Sequence, residues 1–83
     1  MKLTVKLYAG LGQYLPDGCR NHTIELDLDA PVSPNTVLAH FGVPREAAHL
    51  VLVNGVYIRP QDRDSAGLHD GDTVAAWPPV AGG

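Results

Sequence analysis

The chain has 83 residues, 45% of them hydrophobic and 18% charged, with one cysteine and a formal net charge of −3. A chain of this length buries only roughly 60–65% of its unfolded surface, which leaves room for one core and argues against a self-contained enzyme with an enclosed active site. The lone Cys19 excludes an internal disulfide framework and a cysteine-based zinc cage, the acidic balance without a basic run argues against nucleic acid, and no apolar run reaches the roughly 18–20 residues of a membrane span.

Leu3, Val5 and Leu7 alternate with Thr4, Lys6 and Tyr8, the period of a strand with one buried face, so a first strand is expected over Lys2–Tyr8. The same alternation at the N-terminus is unlike the continuous apolar stretch of a signal peptide, which makes a mature cytoplasmic protein the expectation. Gly10, Gly12, Pro16 and Gly18 then interrupt the pattern, with Leu11, Tyr14 and Leu15 spaced to lay one helical turn across the sheet end. Ile24, Leu26 and Leu28 resume it, predicting a second strand over His22–Leu28.

Helix-start chemistry follows. Ser33 suits an N-cap, Pro34 the first helical position, and Val32 is placed to pack against Val37 across the cap. Gly42 fits the left-handed position just past a helix end, with Pro44 two residues on, so the helix should run from Pro34 to about Phe41. So short a helix depends on packing Val37, Leu38 and Phe41 onto a sheet.

From Leu50 the chain reads Leu-Val-Leu-Val-Asn-Gly-Val-Tyr-Ile, in which Asn54-Gly55 between β-branched and aliphatic residues is the strongest short-range hairpin signal, and two strands should flank it. Pro60 to Ser65 is polar and reads as an exposed loop, Asp70-Gly71-Asp72 as a turn, and Thr73 to Trp77 as the last strand. Pro78 and Pro79 end ladder pairing, and Val80-Ala81-Gly82-Gly83 has no bulky side chain to anchor it, so a mobile tail is expected. The pattern describes an α+β domain in which one short helix covers one face of a mixed, about five-stranded sheet. One domain spans 1–83, with a folded body over 1–77 and an extended tail over 78–83.

This order of elements, together with Val53-Asn54-Gly55, Leu68-His69-Asp70-Gly71-Asp72-Thr73-Val74 and the terminal Trp77-Pro78-Pro79-Val80-Ala81-Gly82-Gly83, resembles the MoaD/ThiS family of sulfur carriers, which share the ubiquitin-like β-grasp fold. The end of the chain looks more like MoaD, the molybdopterin synthase small subunit, than like ThiS. The helix is shorter than is typical of MoaD, and Trp77 stands where that family usually has Phe.

The resemblance implies chemistry centred on Gly83. Its carboxylate would be adenylated inside a MoeB/ThiF-like activating enzyme that brings ATP and Mg²⁺, then converted to a thiocarboxylate by a sulfurtransferase or other sulfur donor. The sulfur would pass to a pterin precursor held by a MoaE-like large subunit, into which the tail inserts. A ubiquitin-like modifier, joined through Gly83 to lysines, and a ThiS-like carrier for thiamine or another sulfur pathway are the alternatives, with an inert-tailed binding module as the blandest reading.

Residue chemistry fits that cycle. Residues without a Cβ, such as Gly82 and Gly83, let a tail thread a narrow channel close to a nucleotide. Pro78 and Pro79 hold the tail root extended and lower the entropy lost on insertion. The chain has no Gly-x-x-x-x-Gly-Lys-Ser/Thr loop, and Gly10-Leu11-Gly12 lacks the third glycine of a dinucleotide fingerprint, so ATP must be supplied by the partner. With Val80 and Ala81, these residues and Trp77 form the expected partner-binding segment, although Trp77 at a strand end could equally be core.

His22, His40, His49 and His69 lack the spacing of a zinc pair, and Asp62, Asp64, Asp70 and Asp72 lack the closing Glu of a calcium loop, so no metal is expected. Cys19 has no visible base beside it. Val51, Val53 and Val56 alternate with Leu52 and Tyr57, and whichever set faces away from the helix is expected to dock a partner.

Overall fold

In the computed structural model, which describes residues 1–16, 21–29 and 32–79, the apolar segments become strands β1 (Lys2–Leu7), β2 (Thr23–Asp27), β3 (Leu50–Val53), β4 (Val56–Tyr57) and β5 (Thr73–Trp77). They form one sheet in the order β2-β1-β5-β3-β4. The central pair, β1 and β5, is parallel, and the other three pairings are antiparallel. This is the mixed sheet and single helix of the ubiquitin-like β-grasp fold. The first two strands are shorter than their hydrophobic pattern, because Tyr8, His22 and Leu28 fall just outside the regular ladder.

Alternation sorts the side chains into two faces. Leu3, Val5 and Leu7 of β1, Val51 of β3, and Val74 and Ala76 of β5 are buried, and they meet Val37 and Leu38 of helix α1 (Pro34–His40). Ile24, Leu26 and Leu28 pack against this core from the edge strand. Leu11 closes one end of it, projecting from a 3₁₀ helix over Ala9–Tyr14 in the region expected to hold one turn.

The helix is seven residues long and capped at both ends. Ser33 Oγ accepts the Thr36 N–H at 3.3 Å, with Pro34 at the first helical position. At the other end Gly42 takes φ 79°, so that its N–H reaches Ala39 O at 3.0 Å and Val43 N–H reaches Leu38 O at 3.0 Å. These two bonds satisfy carbonyls that the helix end would otherwise leave unpaired. Val32 and Phe41 pack against the core at the flanks.

The stretch over Pro60 to Ser65 differs from the exposed loop expected of it. Pro60–Asp62 forms a 3₁₀ turn, and Arg63 behind it is 4% exposed. Its guanidinium donates to Ile58 O at 3.0 Å, Ala48 O at 2.9 Å and His49 O at 3.1 Å. A planar fork of donors matches three carbonyls left free where the chain enters β3 and leaves β4, and this offsets the cost of burying the charge. The cation also lies 5.9 Å from the centroid of the Tyr57 ring.

Candidate functional site

The two ends of β5 are built differently. At its start, Asn54 and Gly55 take φ 51° and 83°, the paired left-handed torsions of a tight hairpin turn between β3 and β4. Asn54 Nδ2 donates to Asp72 Oδ1 at 2.8 Å, and its Oδ1 accepts the Thr73 N–H at 2.9 Å. The two internal signatures of the sequence therefore meet in space. Asp72 also accepts the His69 N–H at 2.8 Å, Asp70 accepts the Lys2 N–H at 2.6 Å, and Gly71 N–H donates to Lys2 O at 2.7 Å.

The His69 backbone N–H and the Asn54 amide hold the Asp72 carboxyl below the usual carboxylate range. Burial opposes them, and the attraction of a protonated His69 ring adds to them. Turn chemistry thus accounts for Asp70 and Asp72. Asp62 and Asp64 pair with Arg59 and Arg45, each at 2.9 Å. Among the described residues, no group of three or more His, Cys, Asp or Glu side chains is arranged to hold a metal.

At the end of β5 the contacts are aromatic. Trp77 is half-buried, and its ring stacks on Tyr8 at a centroid distance of 4.4 Å and an interplanar angle of 9°. His22 lies 5.7 Å from the Tyr8 ring, with its Nδ1 3.1 Å from Leu7 O. Trp77 O accepts the His49 N–H at 2.9 Å, and Tyr8 N–H donates to Ala76 O at 3.0 Å, which completes the ladder on both sides of β5. Pro78 and Pro79 follow with no N–H to continue it. The sequence left Trp77 undecided between core and contact, and the structure gives it one stacked face with the remainder partly open. Tyr8 carried no functional expectation, because its proximity to Trp77 arises only from the parallel pairing of β1 with β5.

The sheet face away from the helix is apolar toward β3 and β4. Leu50, Leu52 and Tyr57 share it with Ala75 and Trp77 by register, and Tyr57 is 49% exposed. Val51 is fully buried on the opposite face and Val53 packs against the core, so neither belongs to the docking set. Val56 is 64% exposed at the edge. An open cleft of about 520 Å³, lined in part by Gly10, Gly12, Gln13 and His22, lies beside the aromatic end. Of the terminal site residues, Trp77, Pro78 and Pro79 are placed by the structure; Val80, Ala81, Gly82, Gly83 and the expected tail mobility lie outside the described residues, as does Cys19.

The ThiS family model matches residues 18–83. Among solved structures, the crystal structure of SAMP1 from Haloferax volcanii is similar at 21% identity and a TM-score of 0.66, over 100% of both chains. The solution structure of the Haloferax volcanii HVO 2177 protein is similar at 25% identity and a TM-score of 0.74, over 100% of this chain and 87% of that one. A chain from the complex of subunits 1 and 2 of the molybdopterin-converting factor from Helicobacter pylori is similar at 17% identity and a TM-score of 0.60, again over 100% of both. A search of curated proteins finds no match. The structural likenesses establish the fold, and the family pattern runs from residue 18 through Gly83: the chain belongs to the ThiS family of ubiquitin-fold sulfur carriers.

Proposed function

We propose that the chain carries sulfur as a thiocarboxylate on Gly83 and delivers it in molybdopterin biosynthesis as the small subunit of a synthase. The observation that carries this reading is the extent of the family match, which includes the terminal Gly82-Gly83 within the family pattern. The described body supports it by ending β5 at Trp77 and releasing the chain through two prolines.

A carboxylate is a poor acyl donor to a sulfur nucleophile until it is activated. In the cycle proposed, a Gly83 carboxylate oxygen attacks the α-phosphorus of ATP, the bond to the β-phosphate breaks, and pyrophosphate leaves. A sulfur nucleophile at the oxidation level of sulfide then attacks the acyl carbon, and AMP leaves with its electron pair. The thiocarboxylate sulfur attacks an electrophilic carbon of the pterin precursor to form an acyl thioester, and water then cleaves the acyl C–S bond, leaving sulfur on the pterin and a carboxylate on Gly83. A MoeB/ThiF-like adenylating enzyme supplies the ATP and Mg²⁺ site, and a sulfurtransferase or other donor the sulfur.

The similar chain from Helicobacter pylori belongs to a complex of two subunits, which supports a MoaE-like large subunit as the acceptor-holding partner. The apolar face bearing Leu50, Leu52, Tyr57 and Trp77 is the surface offered to these enzymes, since exposed apolar patches mark docking sites and Trp and Tyr are enriched among the residues that dominate binding energy.

The test is intact mass after incubation with ATP, a sulfide donor and the adenylating enzyme, before and after addition of the large subunit with pterin precursor. The carrier reading predicts replacement of one oxygen by sulfur, reversed on transfer. A higher-mass isopeptide product in place of that exchange would identify a modifier, and sulfur retained until a thiazole precursor is offered would assign a ThiS-like role.

A further inference from the structure

We propose that Lys6 selects the enzyme that docks on the open sheet face: the adenylating partner that covers the apolar patch presents a carboxylate to the Lys6 ammonium. The inference rests on the reading that this face, and not the tail alone, meets that enzyme. The registers of the four strand pairings line up one row across the whole sheet: Thr23, Lys6, Ala75, Leu52 and Tyr57. Lys6 alternates with the core residues Val5 and Leu7, so its side chain leaves on the side away from the helix. It therefore borders the apolar patch, with only Ala75 between it and Leu52 in the row.

Ala75 is 8% exposed yet stands outside the helix-side core cluster, and its short side chain is the low point of the row. Lys6 beside it is half-buried, as expected of a lysine whose carbon stem extends an apolar patch while its charged end reaches water. Among the described residues, Lys6 makes no ion pair: its register partner on β2 is Thr23, and Glu25 stands opposite Thr4. A cation without a counter-charge thus stands at the edge of the surface that docking covers.

What the partner supplies at that point decides the sign of the contribution. A partner that is apolar over the whole row would strip water from the ammonium and replace it with nothing, which disfavours it. A partner with a carboxylate there gains a charge pair at the margin of the apolar contact, and register with it. A single carboxylate fits better than a polyanion, because Glu25 and Asp27 share this face on the neighbouring strand and the chain carries a net charge of −3.

Binding to the adenylating enzyme tests this, measured for wild type, Lys6→Met, Lys6→Arg, Lys6→Glu and Leu52→Ala, each first confirmed as folded by urea denaturation. Lys6→Met keeps the apolar stem and drops the charge. It should weaken binding at least about tenfold, Lys6→Glu should weaken it further, and Lys6→Arg should stay within about threefold. The fall of wild-type affinity with added salt should flatten in Lys6→Met. Leu52→Ala, which reports on the face itself, should weaken binding about fivefold.

Lys6→Met binding as tightly as wild type or tighter, with Leu52→Ala weakened, would overturn the proposal and leave the docking face standing. No loss at either position would remove the docking face and the proposal with it. A loss at Lys6 with none at Leu52 would put the charge pair outside the apolar contact and overturn the placement argued here.

Discussion

The two ends of β5, a strand of five residues, solve opposite problems. The start is cross-linked by side-chain hydrogen bonds to both neighbours: Asn54 ties it to the β3–β4 hairpin, and the Asp70-Gly71-Asp72 turn ties it to Lys2 at the head of β1. Among the described residues, the end has backbone pairing, one aromatic stack and two prolines. At the start the left-handed positions are occupied by Asn54, Gly55 and Gly71, which adopt such torsions at little cost; near the end Asn21 at φ 55° and His22 at 56° are of the same tolerant kind, and Ala9 at 51° is not. A strand anchored at one end and lightly held at the other presents its terminus without putting the core at risk.

Substitutions should separate these roles. The largest effect is expected at the tail end: Trp77→Ala should weaken binding to the adenylating enzyme by roughly 2 kcal/mol, about thirtyfold, while lowering folding stability by only about 1 kcal/mol. Titration calorimetry and urea denaturation measure the two together, and a stability loss larger than the binding loss would erase the distinction between the ends. At the start the order reverses. Asp72→Ala removes the charged acceptor of the Asn54 amide and the His69 N–H, and should cost about 2 kcal/mol in urea denaturation with KM for adenylation unchanged.

Acid sharpens the same contrast. Because the folded-state pKa of Asp72 lies below its unfolded value, its contribution to stability is fully present above about pH 4 and is lost as pH falls through the lowered folded value. Asp72→Asn should therefore flatten the stability profile over that acid window, as seen by denaturation at stepped pH; a slope identical to wild type would remove the carboxylate from the network. The smallest effect concerns Gly55, where an added Cβ meets open space but the backbone sits at φ 83°. Gly55→Ala should lose about 1 kcal/mol from torsion alone in the same urea assay.

Local chemistry was readable directly. Ser33-Pro34 and Gly42 mark the helix at both ends, Asn54-Gly55 marks the hairpin, and period-two alternation marks the buried sets on β1 and β2. What the sequence could not display depends on chain segments distant from one another. Arg63 sits in a run of polar and charged residues and becomes buried because carbonyls from residues 48, 49 and 58 converge on it. Val51 and Leu52 are equally apolar, and only the register with Ala76 and Ala75 shows which one faces the core. The Tyr8–Trp77 stack joins residues 69 positions apart through a parallel pairing that carries no local signal. The terminal Gly82-Gly83 is the reverse case, since it is read entirely from the sequence and from the family pattern that includes it.

The proposed cycle turns on the carboxylate of Gly83. ATP–pyrophosphate exchange by the adenylating enzyme, run with the full chain and with a chain lacking only Gly83, tests it most directly. The account predicts exchange with the full chain and none above background with the shortened one; equal exchange with both would place the activated group elsewhere and contradict it.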